Sequence, residues 1–320
     1  MGSETSPRLP FIDFSNVDQN MNALDWDLTK SRVHQALTDY GCFEAFFPKI
    51  SPELQTSLFD SMQQLFDLPL ETKLKNRSSK PFLGYCGFLP GQPLYESMGI
   101  ADPNILEKTE SFTKIFWPEG NPEFSTVIQA YSKKLLKLNE TVRRMVLESL
   151  GLEKYMVEHM GSTNYLFRVM KYRRPETDES DHGLDAHTDK SMITILHQNQ
   201  VGGLEVQTKS GDWMKIKLSP NSFIVMVGDS FYAWTNGRLH APIHRVKSAS
   251  RVEDRYSLAL FSIPKAGYVV KAPEEFVDEQ HPLLFRPFEL IEFFQYYGSE
   301  AGQNAQVQDA QSPLKIYCGV

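Results

Sequence analysis

Residues 193–228 read ITILHQNQVGGLEVQTKSGDWMKIKLSPNSFIVMVG, and the period of this stretch decides the fold. Ile193–Leu196, Leu204–Thr208, Trp213–Leu218 and Phe223–Val227 are short runs rich in β-branched and other apolar side chains, the signature of strands. Gly202-Gly203 and Ser210-Gly211-Asp212 punctuate them, the second lying between Val206 and Trp213 like a hairpin loop. Outward from there, Leu166–Tyr172, His244–Lys247 and Tyr256–Ser262 are of the same kind. About seven short strands with no helix between them predict an antiparallel sandwich or roll, not an alternating βαβ sheet.

Upstream the period turns helical. Leu9–Phe14 is a short strand candidate with Pro10 at its start, but residues 29–40 place Val33, Ala36, Leu37 and Tyr40 at helical spacing before Gly41. Residues 52–67 repeat the pattern with Leu54, Leu58, Met62, Leu65 and Phe66 behind Pro52, a natural first-turn residue. The longest helix is expected from Asn121-Pro122 to Gly151, with a stripe of core residues from Phe124 to Leu150. Beyond Pro264 the chain is irregular until a helix over Pro287–Tyr297, and a polar tail follows. The fold class is therefore α+β with a mainly β core.

The 320 residues include 33 basic and 40 acidic side chains, a net charge of −7, and 41% are hydrophobic. That is enough apolar material for a sizeable core, and it excludes disorder or a coiled-coil rod. No basic stripe exists to track a nucleic acid backbone. Cys42, Cys86 and Cys318 form no zinc spacing, so reduced thiols in the cytoplasm are expected. No secretory signal is visible, and no apolar run reaches the roughly 20 residues that span a bilayer. Met1-Gly2-Ser3-Glu4-Thr5-Ser6 fits the loose N-myristoylation pattern, but no polybasic patch supports it and one acyl chain anchors only marginally. The expectation is a monomer that acts on a small molecule, with neither a membrane span nor a nucleic acid partner.

Chemistry concentrates in the strand-rich half. His187-Thr188-Asp189 puts an imidazole and a carboxylate at i and i+2, on one face if the segment is a strand. His244 follows 57 positions later, beside Arg245 and Val246, and Arg255-Tyr256-Ser257 again sets two polar groups on one face. Two imidazoles and a carboxylate suit a facial triad for Fe(II), leaving positions open for substrate and oxygen. An arginine nearby can grip a carboxylate through paired, charge-assisted hydrogen bonds, with a serine hydroxyl adding a third. A lone His-x-Asp is weak evidence, and His187 could be an ordinary satisfied polar residue. His240 and His244 at i, i+4 imitate a helical zinc pair, but Pro242 between them argues against that helix.

Taken in order, these motifs resemble the 2-oxoglutarate/Fe(II)-dependent dioxygenases of plants. The matching text is Gly183-Leu184-Asp185-Ala186-His187-Thr188-Asp189, Ile193-Thr194-Ile195-Leu196 and Gly202-Gly203-Leu204-Glu205-Val206. Trp213, Gly228-Asp229, Thr235-Asn236-Gly237, His244-Arg245-Val246 and Arg255-x-Ser257 follow, and Leu9–Phe14 with Tyr40-Gly41-Cys42-Phe43 extends the likeness to the N-terminal half. Arg168-x-Met170-Lys171-Tyr172 and the loop at Gly84-Tyr85 resemble the AOP-like (alkenyl/hydroxyalkyl-producing) branch.

The resemblance implies a double-stranded β-helix (jelly roll) with flanking N-terminal helices and a C-terminal helix. It implies one integrated domain: an N-terminal region over residues 1–163, a jelly-roll core over 164–264 and a C-terminal lid over 265–320. It implies His187, Asp189 and His244 as catalytic iron ligands, and Arg255, Ser257 and Tyr172 as residues for 2-oxoglutarate. O2 would be the second cosubstrate and ascorbate a reductant. The chain departs from the family at Met170, which stands where an Asn-x-Tyr motif has its asparagine. Hydroxylation of a small, largely apolar plant specialised metabolite or hormone is the default reaction. Desaturation, demethylation or ring formation would use the same residues.

Two other classes remain in view. Gly228-Asp229-Ser230-Phe231 resembles the nucleophile block of GDSL-like serine hydrolases, and Asp278 with His281 could complete a triad. A catalytically silent jelly roll that binds a small molecule is the other. Aromatic candidates to cap the roll and touch substrate are Tyr85, Phe88, Phe116, Phe231, Trp234, Phe294 and Tyr297, although core packing accounts for any of them.

Overall fold

The computed structural model describes residues 8–17, 22–89, 91–248 and 250–320. The pattern at Met1–Ser6 lies outside them. The chain opens with Phe11–Asp13 (β1), Ala23–Asp39 (α1), Cys42–Phe46 (β2), Pro52–Phe66 (α2) and the short Leu70–Lys73 (α3). Cap chemistry sets these helix starts. Asn22 Oδ1 accepts from the Asp25 amide and Ser51 Oγ from that of Leu54. α1 begins six residues ahead of the expected position, its first turns held by that cap and by Trp26, whose Nε1 donates to Glu148 Oε2 at 2.7 Å. Leu24 and Leu28 there are exposed, so no apolar stripe marks them.

Cys86–Leu89 (β3) and Gln92–Ala101 (β4) follow, then Leu106–Thr113 (α4), the long Pro122–Ser149 (α5) and Met156–Gly161 (α6). α5 has the expected ends, Asn121 capping the Phe124 amide and Gly151 leaving the helix at φ +68°. It packs on α1, α2 and α4 as a scaffold behind the sheet. This half is mainly helical, as expected, and β2, β3 and β4 are strands that the helical reading did not include.

The strand-rich half contains Thr163–Tyr172 (β5), His182–His187 (β6), Ile193–Gln198 (β7), Leu204–Gln207 (β8), Trp213–Lys215 (β9) and Ser222–Val227 (β10). After Asp229–Trp234 (α7) come His244–Lys247 (β11), Arg255–Pro264 (β12) and the small pair Val269–Val270 (β13) and Phe288–Glu289 (β14). Leu290–Tyr297 (α8), Glu300–Gln308 (α9) and Ser312–Cys318 (α10) close the chain, so the polar tail is helical, not featureless.

One sheet runs β1-β2-β10-β7-β12-β5-β4-β3 and a second runs β6-β11-β8-β9. Apart from the parallel β1–β2 pair, all pairings in them are antiparallel. The two sheets form the double-stranded β-helix, whose interior is the face that α5 does not cover. β12 is central: it pairs with β5 over ten residues, from Arg255 opposite Tyr172 to Pro264 opposite Thr163, and with β7 on its other side. Cys42, Cys86 and Cys318 are free, Cys42 and Cys318 being buried. Among the described residues no helix is long and apolar enough to cross a membrane.

Candidate active site

The second sheet brings the metal-ligating residue types together. His187 ends β6 and His244 begins β11, and the two lie directly opposite in the antiparallel register, ring centroids 4.2 Å apart. Each ring is turned by its own backbone: Nδ1–H of His187 donates to Asp185 O at 2.8 Å and that of His244 to Pro242 O at 3.3 Å. A carbonyl can only accept, so the proton sits on Nδ1 and the Nε2 lone pair faces inward. Burial, aided by the neighbouring His244, pushes the His187 pKa down, which keeps that lone pair free at neutral pH.

Asp189 does not share the strand with His187, as the i, i+2 spacing had suggested. β6 stops at His187 and Asp189 sits in the irregular turn after it. The turn is pinned from below by α7: the Asp229 amide donates to Asp189 O at 2.7 Å. The buried Asp229 carboxylate accepts from Thr188 Oγ1 at 3.0 Å and from Lys190 Nζ at 2.8 Å. Asp189 Oδ1 lies 3.8 Å from His187 Nε2 and 3.7 Å from His244 Nε2. Its other oxygen, Oδ2, is buried with no hydrogen-bond partner.

Three electron-pair donors thus converge, all within 4.8 Å of one another, with no proton between them. Such an arrangement repels itself unless a cation sits at its centre. Two neutral imidazoles and a carboxylate match Fe(II) in type and number. His187 retains 21% side-chain exposure against 8% and 6% for Asp189 and His244, so the open side of the cluster faces the cavity past His187.

A second polar group lies in the same cavity on the first sheet. Arg255 and Ser257 share the inner face of β12, and Arg255 Nη1 donates to Ser257 Oγ at 3.0 Å. Nη2 donates to Gln198 Oε1 on β7 at 2.7 Å, and the guanidinium lies over the Tyr172 ring at 4.8 Å. Arg255 is 1% exposed, its Nε has no partner, and no carboxylate of the described residues pairs with it. A buried cation without a counter-ion fits a ligand that brings its own anionic group. The Tyr172 hydroxyl meets Met170 Sδ at 3.9 Å, a weak sulfur contact where the family's asparagine would offer an amide.

Phe294 and Tyr297 on α8 line this cavity, as expected of capping residues. The other five aromatic candidates do not. Phe116 packs on Phe112 and Trp117 among the helices, and Phe231 and Trp234 enclose the His159 ring. The Tyr85 hydroxyl bonds the buried Glu96 at 2.8 Å, and Phe88 is half exposed on β3. The hydrolase triad fails to assemble. Ser230 is buried with Oγ donating to Lys190 O at 2.6 Å, while His281 and Asp278 pair with each other on an exposed loop. Motif reading missed Gln198, Lys190 and Phe82, and took Arg168 only as a mark of the branch. Gln198 alone carries a signal, as a polar residue closing an apolar strand.

The chain is similar to known proteins along nearly its whole length. The model of the 2OG-Fe(II) oxygenase superfamily matches residues 159–264, and that of the non-haem dioxygenase in morphine synthesis N-terminal region matches residues 9–97. An Arabidopsis thaliana protein named "Probable 2-oxoglutarate-dependent dioxygenase AOP1.2" is 50% identical over 305 residues, covering 93% of this chain and 94% of its own. The 2-oxoglutarate-dependent dioxygenase AOP3 of the same plant is 36% identical across 100% of this chain and 99% of its own. Among solved structures, the rice dioxygenase for auxin oxidation superposes with a TM-score of 0.76 at 30% identity, over 92% of this chain and 98% of that one. JOX2, solved with 2OG, Fe and JA, shares the fold at a TM-score of 0.79 and 23% identity, over 100% of this chain and 92% of that one.

Proposed function

This chain belongs to the plant 2-oxoglutarate/Fe(II)-dependent dioxygenases, in their AOP-like branch, and from that premise we propose which residues do the work and on what. It is an oxidoreductase that uses Fe(II), 2-oxoglutarate and O2. In our reading His187, Asp189 and His244 hold the iron. Arg255 and Ser257 hold the far carboxylate of 2-oxoglutarate, with Tyr172 stacked beneath the guanidinium. The observation that carries this is the pair of stranded polar atoms, Asp189 Oδ2 and Arg255 Nε, both buried in one cavity and both without a partner in the protein.

When bound, Fe(II) and 2-oxoglutarate supply O2 activation by oxidative decarboxylation of the cosubstrate. The chain's own residues orient and exclude. The backbone carbonyls of Asp185 and Pro242 fix the imidazole tautomers, and Asp229 with Lys190 fixes the turn that carries Asp189. Gln198 and Ser257 lock the Arg255 fork before any ligand arrives, which lowers the ordering cost of binding. Met170, Leu184, Val246 and Ala259 keep water from the space between.

The substrate we propose is a small plant specialised metabolite or hormone with a largely apolar body, hydroxylated at carbon. The apolar walls and the auxin-oxidising relative support that choice. A silent binding roll has no use for the donor cluster and the arginine together. Anaerobic Fe(II) plus 2-oxoglutarate should give the visible charge-transfer band of the chelate in wild type and lose it in His187→Ala. No band in wild type, or an unchanged band in the variant, would overturn the ligand assignment. Succinate release stimulated by candidate metabolites then identifies the substrate.

A further inference from the structure

We propose that Lys190 is a positioning residue that couples the C-terminal helix α8 to the turn carrying Asp189, so that seating of the helix and retention of the metal support each other. This rests on the dioxygenase reading and goes beyond it by placing a support of the metal site in a distant part of the chain. An ammonium has three donors to give, and three acceptors surround that of Lys190. Nζ donates to Thr188 O at 2.9 Å, to Thr188 Oγ1 at 3.0 Å and to Asp229 Oδ2 at 2.8 Å. All three donors are spent inside the protein, although Lys190 lines the cavity, so the side chain holds rather than binds. Its own carbonyl accepts from Ser230 Oγ at 2.6 Å. Asp189 is therefore fixed through the residue before it, the residue after it and its own carbonyl.

The ammonium is covered by α8. Nζ lies 4.7 Å from the Tyr297 ring centroid and 5.9 Å from that of Phe293, residues four apart on one helix face. The side chains of Lys190 and Asp229 are 7% and 2% exposed, so their attraction acts at low dielectric and weakens if water enters. The rings that keep water out are themselves fixed. Phe293 is fully buried, 5.7 Å from the Phe288 ring and 5.2 Å from that of Tyr317 on α10. Gly302 on α9 lacks a Cβ, which would strike Tyr296 O and come within 2.8 Å of Tyr297 Cα, so α9 closes directly on the end of α8. Thr188 Oγ1 also lies 3.5 Å from Ala310 O, between α9 and α10.

A continuous set of contacts thus runs from the last three helices to Asp189. The two imidazoles are set instead by backbone carbonyls of their own segments. Asp189 is the ligand delivered by an irregular turn, and hence the one whose place depends on a remote helix. Such coupling is reciprocal: what loosens the rings loosens the turn, and a metal that orders Asp189 firms the seat of α8.

The test is calorimetry of Mn(II), the neighbour of Fe(II) in the affinity series, on the full-length protein. Tyr297→Phe keeps the ring and should bind Mn(II) within about twofold of wild type, whereas Tyr297→Leu should bind it roughly three- to tenfold more weakly. Lys190→Met combined with Asp229→Asn removes both buried charges and should cost roughly ten- to a hundredfold. In that background Tyr297→Leu should add nothing, since the group through which the ring acts is gone. Hydrogen exchange gives the reciprocal readout: saturating Mn(II) should slow exchange of the α8 amides in wild type and not in the Lys190→Met, Asp229→Asn variant. The proposal falls if Tyr297→Leu binds Mn(II) as wild type does, or if Tyr297→Phe loses as much as Tyr297→Leu. It falls equally if the loss in Tyr297→Leu persists undiminished in the combined background, or if Mn(II) leaves α8 exchange unchanged in wild type. The Tyr297 pair keeps the buried charges in place and decides the matter even where the combined variant does not fold. Wild type that binds no Mn(II), or binds it equally well after His187→Ala, would take the ligand assignment down as well, and so separates the two failures.

Discussion

Two arginines line one cavity and are held in opposite ways. Arg255 is 1% exposed, tied by Ser257 and Gln198 and stacked on Tyr172. Arg168 is only partly buried, has a single hydrogen bond, and rests between rings contributed by a loop and a strand. A guanidinium that meets the same small dicarboxylate in every cycle gains from being locked, because little freedom is then lost on binding. One framed by side chains on a surface loop can vary while the metal cluster stays untouched. The contrast sets a guanidinium with fixed partners against one with a single hydrogen bond in the same cavity.

The largest expected effect tests the locked arginine. Arg255→Met should weaken 2-oxoglutarate binding by about a hundredfold or more, since it leaves Gln198, Ser257 and the ligand's carboxylate unpaired in a buried site. Titration of the chelate's visible band measures it. Equal losses in Arg255→Met and Arg168→Met would erase the distinction between the two arginines.

Acid should attack the locked arginine through the strand that supports it. His197 precedes Gln198 on β7 and points the other way, its Nδ1 accepting from the Tyr131 hydroxyl at 2.6 Å. Burial pushes its pKa down to about 4, against 6.5 for the unfolded chain. Between those values the unfolded chain binds the extra proton, so stability is present above about pH 6.5 and lost as pH falls toward about 4. This one histidine contributes up to about 1.4 kcal/mol per pH unit. Urea unfolding of the metal-free protein at pH 7 and pH 5 should show the loss, and His197→Phe should shrink it. An unchanged slope in the variant would clear His197 of any part.

The smallest effect probes the framed arginine. Ser97→Ala removes the one hydrogen bond of Arg168, worth about 0.5–1.5 kcal/mol. KM for the substrate should rise a few-fold while 2-oxoglutarate affinity holds. A matching drop in cosubstrate affinity would show the two arginines to be coupled.

The strands of the second half were legible because each is short, apolar and bounded by turn residues. Leu204, Trp213 and His244 start their strands where the pattern places them. β4 was not, since Leu94 through Ile100 are all buried and show no alternation, with glycine and serine among them. The C-terminal helices were hidden for the reverse reason, α9 burying little beyond Gly302 and Ala305. In the site, His187, Asp189 and His244 were readable as residue types at known spacings, although the turn that delivers Asp189 was not. The isolation of Arg168 is a relation to residues that are not beside it, and no local pattern records such a relation.

The free cysteines have a practical consequence. Burial pushes the thiol pKa of Cys42 and of Cys318 up to about 12, so neither is a thiolate at neutral pH and alkylating reagents should pass them by. Cys42 lies on β2, near one edge of the large sheet, and Cys318 ends the last helix. Their labelling rates therefore act as two independent clocks, one for opening of that sheet edge and one for release of the C-terminal helix that packs behind α8.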